Sequence, residues 1–320
     1  MSRGLGDVYK RQAVGLIACG TDKSDNESTK EEKTSVTITS LDASKNEIEL
    51  EVPYNPKRIA ILDLASLDII DELGVGDRVV GMASTSIDYL EKYSNDASIK
   101  NLGTIKEADL EAVMECEPDI IFIGGRLSKS YDALSEIAPV VYLATDTNEG
   151  LVNSVSKNAK TIASIFGMED KVDSLMSDFG ARIDAIKKIS SGKTALVGMT
   201  TSGSFNLLGN DGRCSLIGVE AGFNNLTAAG STSTHGNESS FETVVQQNPD
   251  YIFVMDRDSA ISTAGAKTAK EIVENELVKT TDAYKNNHII YLEHSNVWYT
   301  AEGGIQALDI MLTDLEKGLK

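Results

Sequence analysis

Positive charge, histidine and cysteine are all scarce in this chain. Thirty basic residues stand against 49 acidic ones, a formal charge of −19. Such a balance repels a phosphate backbone, which removes the electrostatic basis for nucleic-acid binding. Three scattered histidines make a poor set of ligands for a dedicated zinc or manganese receptor. The three cysteines, Cys19, Cys116 and Cys214, are odd in number and contain no C-x-x-C pair, which argues against a disulfide framework and a structural zinc site. Cys116 and Cys214 read as unpaired thiols. Enzyme signatures are missing too: there is no G-x-S-x-G elbow, Walker loop, G-x-G-x-x-G fingerprint or H-E-x-x-H pair. Ser231 to His235 offers serine and histidine in one loop, but adjacent loop residues rarely orient as nucleophile and base. An α/β hydrolase or iron reductase is therefore the remote alternative, and no intrinsic cofactor is expected.

What remains is a chain of ordinary globular composition, 41% apolar and 25% charged, long enough at 320 residues for two packed cores. Its ends are not ordinary. Met1 to Gln12 carries neither helical nor strand periodicity and stands apart from the fold as a remnant leader. Ala13 to Gly20 runs from small and apolar residues into Leu16-Ile17-Ala18-Cys19, which resembles a lipoprotein cleavage site, with Cys19 as the expected lipidated residue or otherwise a free thiol. Gly20 to Ser35 has no apolar residue and mixed charge, so it reads as a solvated tether. Residues 1–19 are thus leader and lipobox, and 20–35 the tether.

From Ser35 the pattern changes. Val36 to Thr39 and Glu47 to Val52 alternate as half-buried strands around a turn at Asp42 to Asn46. Arg58 to Leu62, the helical stretch Ser66 to Leu73 ended by Gly74, and Val79 to Gly81 make a βαβ unit. Leu151 to Ile189, broken near Gly167, reads as two long amphipathic helices, after which Lys193 to Met199 opens a second α/β lobe. An internal repeat ties the lobes together. Leu110-Glu111-Ala112-Val113-Met114 with Glu117-Pro118-Asp119-Ile120-Ile121-Phe122-Ile123 matches Phe241-Glu242-Thr243-Val244-Val245 with Asn248-Pro249-Asp250-Tyr251-Ile252-Phe253-Val254, without a gap, at an offset of 131 residues. Arg126 and Arg257 fall at equivalent positions just past the two strands, where α/β sheets bind ligands. Glu111 and Glu242 share the start of the two short helices, where a carboxylate is favourable by itself.

This pattern resembles the iron-siderophore and cobalamin group of binding proteins that serve ABC importers. The resemblance rests on the two repeat segments, and more narrowly on Gly124-Gly125-Arg126, Gly209-Asn210-Asp211-Gly212-Arg213, Thr234-His235-Gly236-Asn237, Val254-Met255-Asp256-Arg257-Asp258 and Val297-Trp298-Tyr299. Together these look like the catecholate-siderophore subgroup. It implies an α/β fold of two Rossmann-like lobes, residues 36–147 and 191–320, joined through 148–190 by a long rigid helix, with the ligand cleft between them. It implies Arg126, Arg213 and Arg257 as counter-charges to an anionic ferric catecholate, with His235, Tyr299 and Trp298 in the pocket. In some members a histidine and a tyrosine complete the iron coordination, and His235 and Tyr299 match them; Tyr299 could equally form a packed aromatic pair with Trp298. Glu111 and Glu242 match the residues that meet a permease dimer.

The expected protein is thus a monomeric extracytoplasmic lipoprotein on the outer face of a bacterial cell membrane, which captures a ferric catecholate siderophore for an ABC transporter. Haem or cobalamin capture on the same fold is the alternative; haem would need an axial methionine, histidine or tyrosine and neither needs three cleft arginines. His288 and His294 read as structural or solvent-facing.

Overall fold

The computed structural model describes residues 33–229 and 232–320; the expected leader, the expected lipidation residue Cys19 and all but the last residues of the expected tether lie outside these. The first element is the expected hairpin, β1 (Ser35–Leu41) against β2 (Glu47–Pro53), antiparallel with Ile38 opposite Leu50. Two sheets follow. In the first, β3 (Ile59–Leu62), β4 (Val79–Met82), β5 (Lys100–Asn101), β6 (Ile120–Ile123) and β7 (Val140–Tyr142) lie in the order β5-β4-β3-β6-β7, all parallel. In the second, β8 (Thr194–Thr201), β9 (Ser204–Leu207), β10 (Asn224–Asn225), β11 (Asn237–Glu238), β12 (Tyr251–Asp256) and β13 (Ile289–Tyr291) give the order β11-β9-β8-β12-β13, with β10 on β8. β8, β12 and β13 are parallel, whereas β9 turns back antiparallel on β8. β3, β6 and the first five residues of β12 are buried throughout, as expected for parallel strands covered on both faces.

The repeat has a structural cause. Asp119 accepts from the backbone N–H groups of Lys57 and Arg58 at 2.7 and 2.9 Å, and Asp250 accepts from those of Thr194 at 2.8 Å and its hydroxyl at 2.8 Å. Each aspartate therefore fastens the entry of the neighbouring central strand to its own. Just before them, Glu117 and Asn248 adopt φ of 43° and 41°, the left-handed turn that lets each short helix end before its proline.

The connecting segment holds three helices, not two: α3 (Leu151–Phe166), α4 (Glu169–Leu175) and α5 (Phe179–Ser190). Gly167, at φ 67°, breaks the first pair as the sequence suggested; the second break, at Met176 to Asp178, carries no glycine or proline. With α1 (Leu64–Glu72), α2 (Leu110–Glu115), α6 (Phe241–Gln247), α7 (Ser295–Thr300) and α8 (Ile305–Gly318), these are the helices used below.

The C-terminal helix does not stay with the second sheet. α8 packs against α1 and α5, and the largest apolar cluster runs from Ile38 in the hairpin through α1 and α3 to Leu315 in α8. Asp68 of α1, almost fully buried, accepts from the N–H groups of Gln306 and Ala307, both at 2.9 Å, and from the Tyr89 hydroxyl at 2.7 Å. It thus supplies the partner that the first turn of α8 lacks. Gly304 is required for this approach, because a Cβ there would lie 2.3 Å from the Asp68 carboxyl. Burial lifts the Asp68 carboxyl to about 6 in spite of these donors.

Candidate ligand-binding site

In the first sheet the chain order reverses between β3 and β6, and Asp63 and Gly124-Gly125-Arg126 lie just past the C-terminal ends of those strands. Arg257 follows β12 directly, beside the end of β8. Both arginines therefore stand where neighbouring strand ends leave a crevice. Gly124 lets the chain leave β6 past Asp63: a Cβ there would meet the carboxyl oxygen at 2.3 Å. Arg213 comes from the loop Gly209 to Cys214, which turns at Cys214 with φ 62°.

The three guanidiniums meet around Tyr299 of α7. Its ring centre lies 5.6 Å from the guanidinium carbon of Arg126, 4.5 Å from that of Arg213 and 5.8 Å from that of Arg257, within cation–π range. Arg126 Nη2 and Arg213 Nε donate to the Tyr299 carbonyl at 3.1 and 3.4 Å. This is one of the carbonyls at a helix end that has no partner within the helix. Arg257 Nε donates to the Tyr299 hydroxyl at 3.3 Å, and its Nη1 to the Thr201 hydroxyl at 3.3 Å. Of the three arginines only Arg257 is paired with a carboxylate among the described residues, Asp258 at 3.2 Å.

The cleft cavity of about 390 Å³ is lined by Asp63, Arg126, Arg213, Tyr299 and Glu302 among others. A second cavity of about 470 Å³ also reaches Tyr299 and is lined by Ser84, Thr85, Lys106 and Ile261. Lys106 is a cationic neighbour that sequence reasoning missed. It sits in the tight hairpin Gly103 to Ala108, which has no counterpart in the repeat.

The charges act on one another. Burial alone would raise the Tyr299 phenol, yet the hydrogen bond from Arg257 and the charges of Arg213, Arg257 and Arg126 hold it below the ordinary tyrosine value. His235, exposed in its loop, is lowered first by partial burial and then by Arg257, Arg213, Lys106 and Arg126, which favours neutral imidazole. Its loop is tied to the cluster by Arg213 Nη1, which donates to the Thr234 carbonyl at 2.8 Å. Glu302, which accepts from the Cys214 N–H at 2.9 Å, is pushed up to about 7 by burial, against that donor and Arg213.

Arg126, Arg213, Arg257 and Tyr299 are thus brought together, with His235 in their field. Trp298 is not part of the cleft: it is fully buried and donates from Nε1 to Asp314 at 3.0 Å. Successive residues of a helix point about 100° apart, so Tyr299 toward the cleft turns Trp298 into the core. His294 is held on the same Asp314 at 2.7 Å, and His288 stacks on Tyr251 with ring centres 4.2 Å apart. Glu111 and Glu242 stand exposed in the first turns of α2 and α6, whose caps, Asp109 and Ser240, are themselves equivalent repeat positions. Cys116 and Cys214 are buried free thiols.

Two crossed-over sheets, one parallel and one mixed, with a cationic crevice at their strand ends are the architecture of a solute receptor, and residues 59–295 match the periplasmic binding protein family. The chain belongs to that family. It is 36% identical to the petrobactin-binding protein YclQ of Bacillus subtilis over 96% of both chains, and superposes on the YclQ crystal structure with a TM-score of 0.82 over 90% of this chain and 99% of that one. The catecholate-siderophore binding protein VctP of Vibrio cholerae is 30% identical, with a TM-score of 0.79 over 88% of this chain and 100% of its own. The iron uptake ABC transporter substrate-binding protein PiuA of Streptococcus pneumoniae is 32% identical, with a TM-score of 0.80 over 89% and 99%. The expected α/β class is that of these neighbours, and they are binding proteins, not enzymes.

Proposed function

We propose that this chain captures a ferric catecholate siderophore outside the cell and delivers it to an ABC permease. The observation that carries this reading is the convergence of three guanidiniums on Tyr299, two of them without an ion-paired carboxylate among the described residues, in a protein of net charge −19. A ferric catecholate is anionic at its ring oxygens, and guanidinium forks match such oxygens and stay charged. VctP is named for catecholate siderophores, YclQ for petrobactin and PiuA for iron uptake by an ABC transporter, and these names support the reading. Haem and cobalamin gain no support from such a cluster.

In this reading His235 and Tyr299 fill the two iron positions that a ligand with only two catecholates leaves open. The lowered Tyr299 phenol and the neutral imidazole of His235 suit that role. Glu111 and Glu242 meet the permease dimer, and Cys19 carries the lipid that holds the protein at the outer face of the membrane. The test is titration of the wild type and the combined variant Arg126→Gln, Arg213→Gln, Arg257→Gln with a ferric catecholate. Three lost charge-assisted bonds, about 1.5–3 kcal/mol each, predict a fall of at least about a thousandfold with unfolding behaviour unchanged. Superimposable curves would refute the assignment.

A further inference from the structure

Beside the cleft lies a chamber of about 330 Å³ between the β1–β2 hairpin, the segment after β7 and α3. It shares Lys45, Leu143, Ala144 and Thr145 with the cleft cavity, so those residues form a neck common to both. We propose that this chamber is a second subsite of the same ligand: Lys45 touches the anionic head at the neck, and the chamber holds an N–H-bearing arm that joins the chelating rings. The inference rests on the proposed function. It adds the hairpin, which lies outside the matched family segment 59–295, to the binding surface.

The hairpin is a fixed wall. Ser40, buried, accepts from the Tyr142 N–H at 3.0 Å and donates to the Tyr142 carbonyl at 3.3 Å, which clasps β1 to the edge strand of the first sheet. The turn that presents Lys45 is equally determined. The Asp42 carboxylate accepts from the N–H groups of Ser44 and Asn46 at 2.8 and 2.9 Å, and the Lys45 N–H donates to the Asp42 carbonyl at 2.9 Å with Lys45 at φ 66°. Asx-type bonding of this kind holds a turn in the left-handed region that a lysine would otherwise avoid. The Lys45 ammonium has no ion pair among the described residues, so its charge is available to a ligand.

Beyond the neck the sign of the lining changes. Glu47, Asp146 and Glu149 face the chamber. Lys157 is divided between the first and the last at 3.9 and 3.7 Å, distances too long for full hydrogen bonds. Carboxylates so weakly matched are acceptors for amide or amine N–H groups. The neck backbone is set by Asn158, whose Nδ2 donates to the Ala144 carbonyl at 3.0 Å, and by Ser154, whose hydroxyl accepts from the Asp146 N–H at 2.8 Å. Cations at the cleft and carboxylates behind it specify a ligand with an anionic head and a donor-rich arm.

Two ferric complexes test this: one of a bis-catecholamide whose rings are joined by an amine-containing chain, and one of free catechol, which has no arm. Thr161→Trp fills the chamber from α3 at a hydroxyl bonded only within its own helix, and Lys45→Glu reverses the neck charge on an exposed turn. Thr161→Trp should weaken the arm-bearing complex about tenfold, the loss of one charge-assisted bond, and leave the armless one within about twofold. Lys45→Glu should weaken both, the arm-bearing one more. Equal losses for both complexes with Thr161→Trp, or no loss with either variant, would overturn the subsite. If neither complex binds the wild type, the proposed function fails and the subsite with it, an outcome visible before any variant is made.

Discussion

Arg126 and Arg257 occupy matched places in the two halves, yet the backbone around them differs. After β3 the chain turns at once into α1, and Asp63 caps that helix by accepting from the Ser66 N–H at 2.9 Å. β6 must then leave through Gly124-Gly125 to clear the carboxyl. In the second half β8 runs on to Thr201 and doubles back as β9, and β12 continues to Asp256, which caps the short helix that opens with Arg257. The first half therefore offers one guanidinium above a carboxylate, whereas the second offers Arg213, Arg257, Tyr299 and His235. One skeleton, used twice, has become a lightly charged wall and a more strongly cationic wall that also carries Tyr299 and His235.

If the halves differ in this way, the combined variant Arg213→Gln and Arg257→Gln should cost a ferric catecholate about 3–6 kcal/mol of binding, against about 1.5–3 kcal/mol for Arg126→Gln. Calorimetric titration measures both, and equal losses would erase the distinction. The tie between the halves should show in stability. Asp68 has a folded value near 6 against 3.8 when unperturbed, so the folded state holds this proton more tightly. Its contribution is full below the unfolded value and is lost as pH rises through about 6, amounting to about 3 kcal/mol. Urea unfolding at pH 4 and pH 7 should show the wild type losing more stability with rising pH than Asp68→Asn; parallel losses would contradict the account of α8.

Much of this was legible in the sequence. The Pro118-Asp119 and Pro249-Asp250 repeat located both central strand pairs and both matched arginines, because a strand buried on two faces leaves a continuous apolar run. The place of α8 was not legible: nothing in its pattern says that its partner is Asp68, far away in the chain. Trp298 was assigned to the cleft through its neighbour, and helical geometry separates the two. Lys106 and Glu302 carry no motif and enter the site only through loops that the fold folds back.

A smaller effect separates iron ligation from lining of the pocket. His235→Ala with Tyr299→Phe should weaken a tetradentate ferric catecholate by about tenfold or more and a hexadentate one little, since the latter leaves no open position. For the wild type the tetradentate affinity should weaken as pH falls through a value below that of an ordinary histidine, because His235 is lowered and must be neutral to ligate. Charge-transfer absorbance reads this, and equal losses for both ligands would leave the two side chains as lining only. Smallest of all should be the change in affinity on Glu111→Ala with Glu242→Ala, within about twofold, while uptake by cells is abolished; a binding defect in the purified variant would place these glutamates in the cleft's account instead.

If the arginines make the cleft select negative charge, a ferric catecholate should displace a neutral ferric hydroxamate of similar size when the two compete at equal concentration. The expected preference for the catecholate is about a hundredfold or more, shrinking with added salt. Equal occupancy by the two complexes would contradict it.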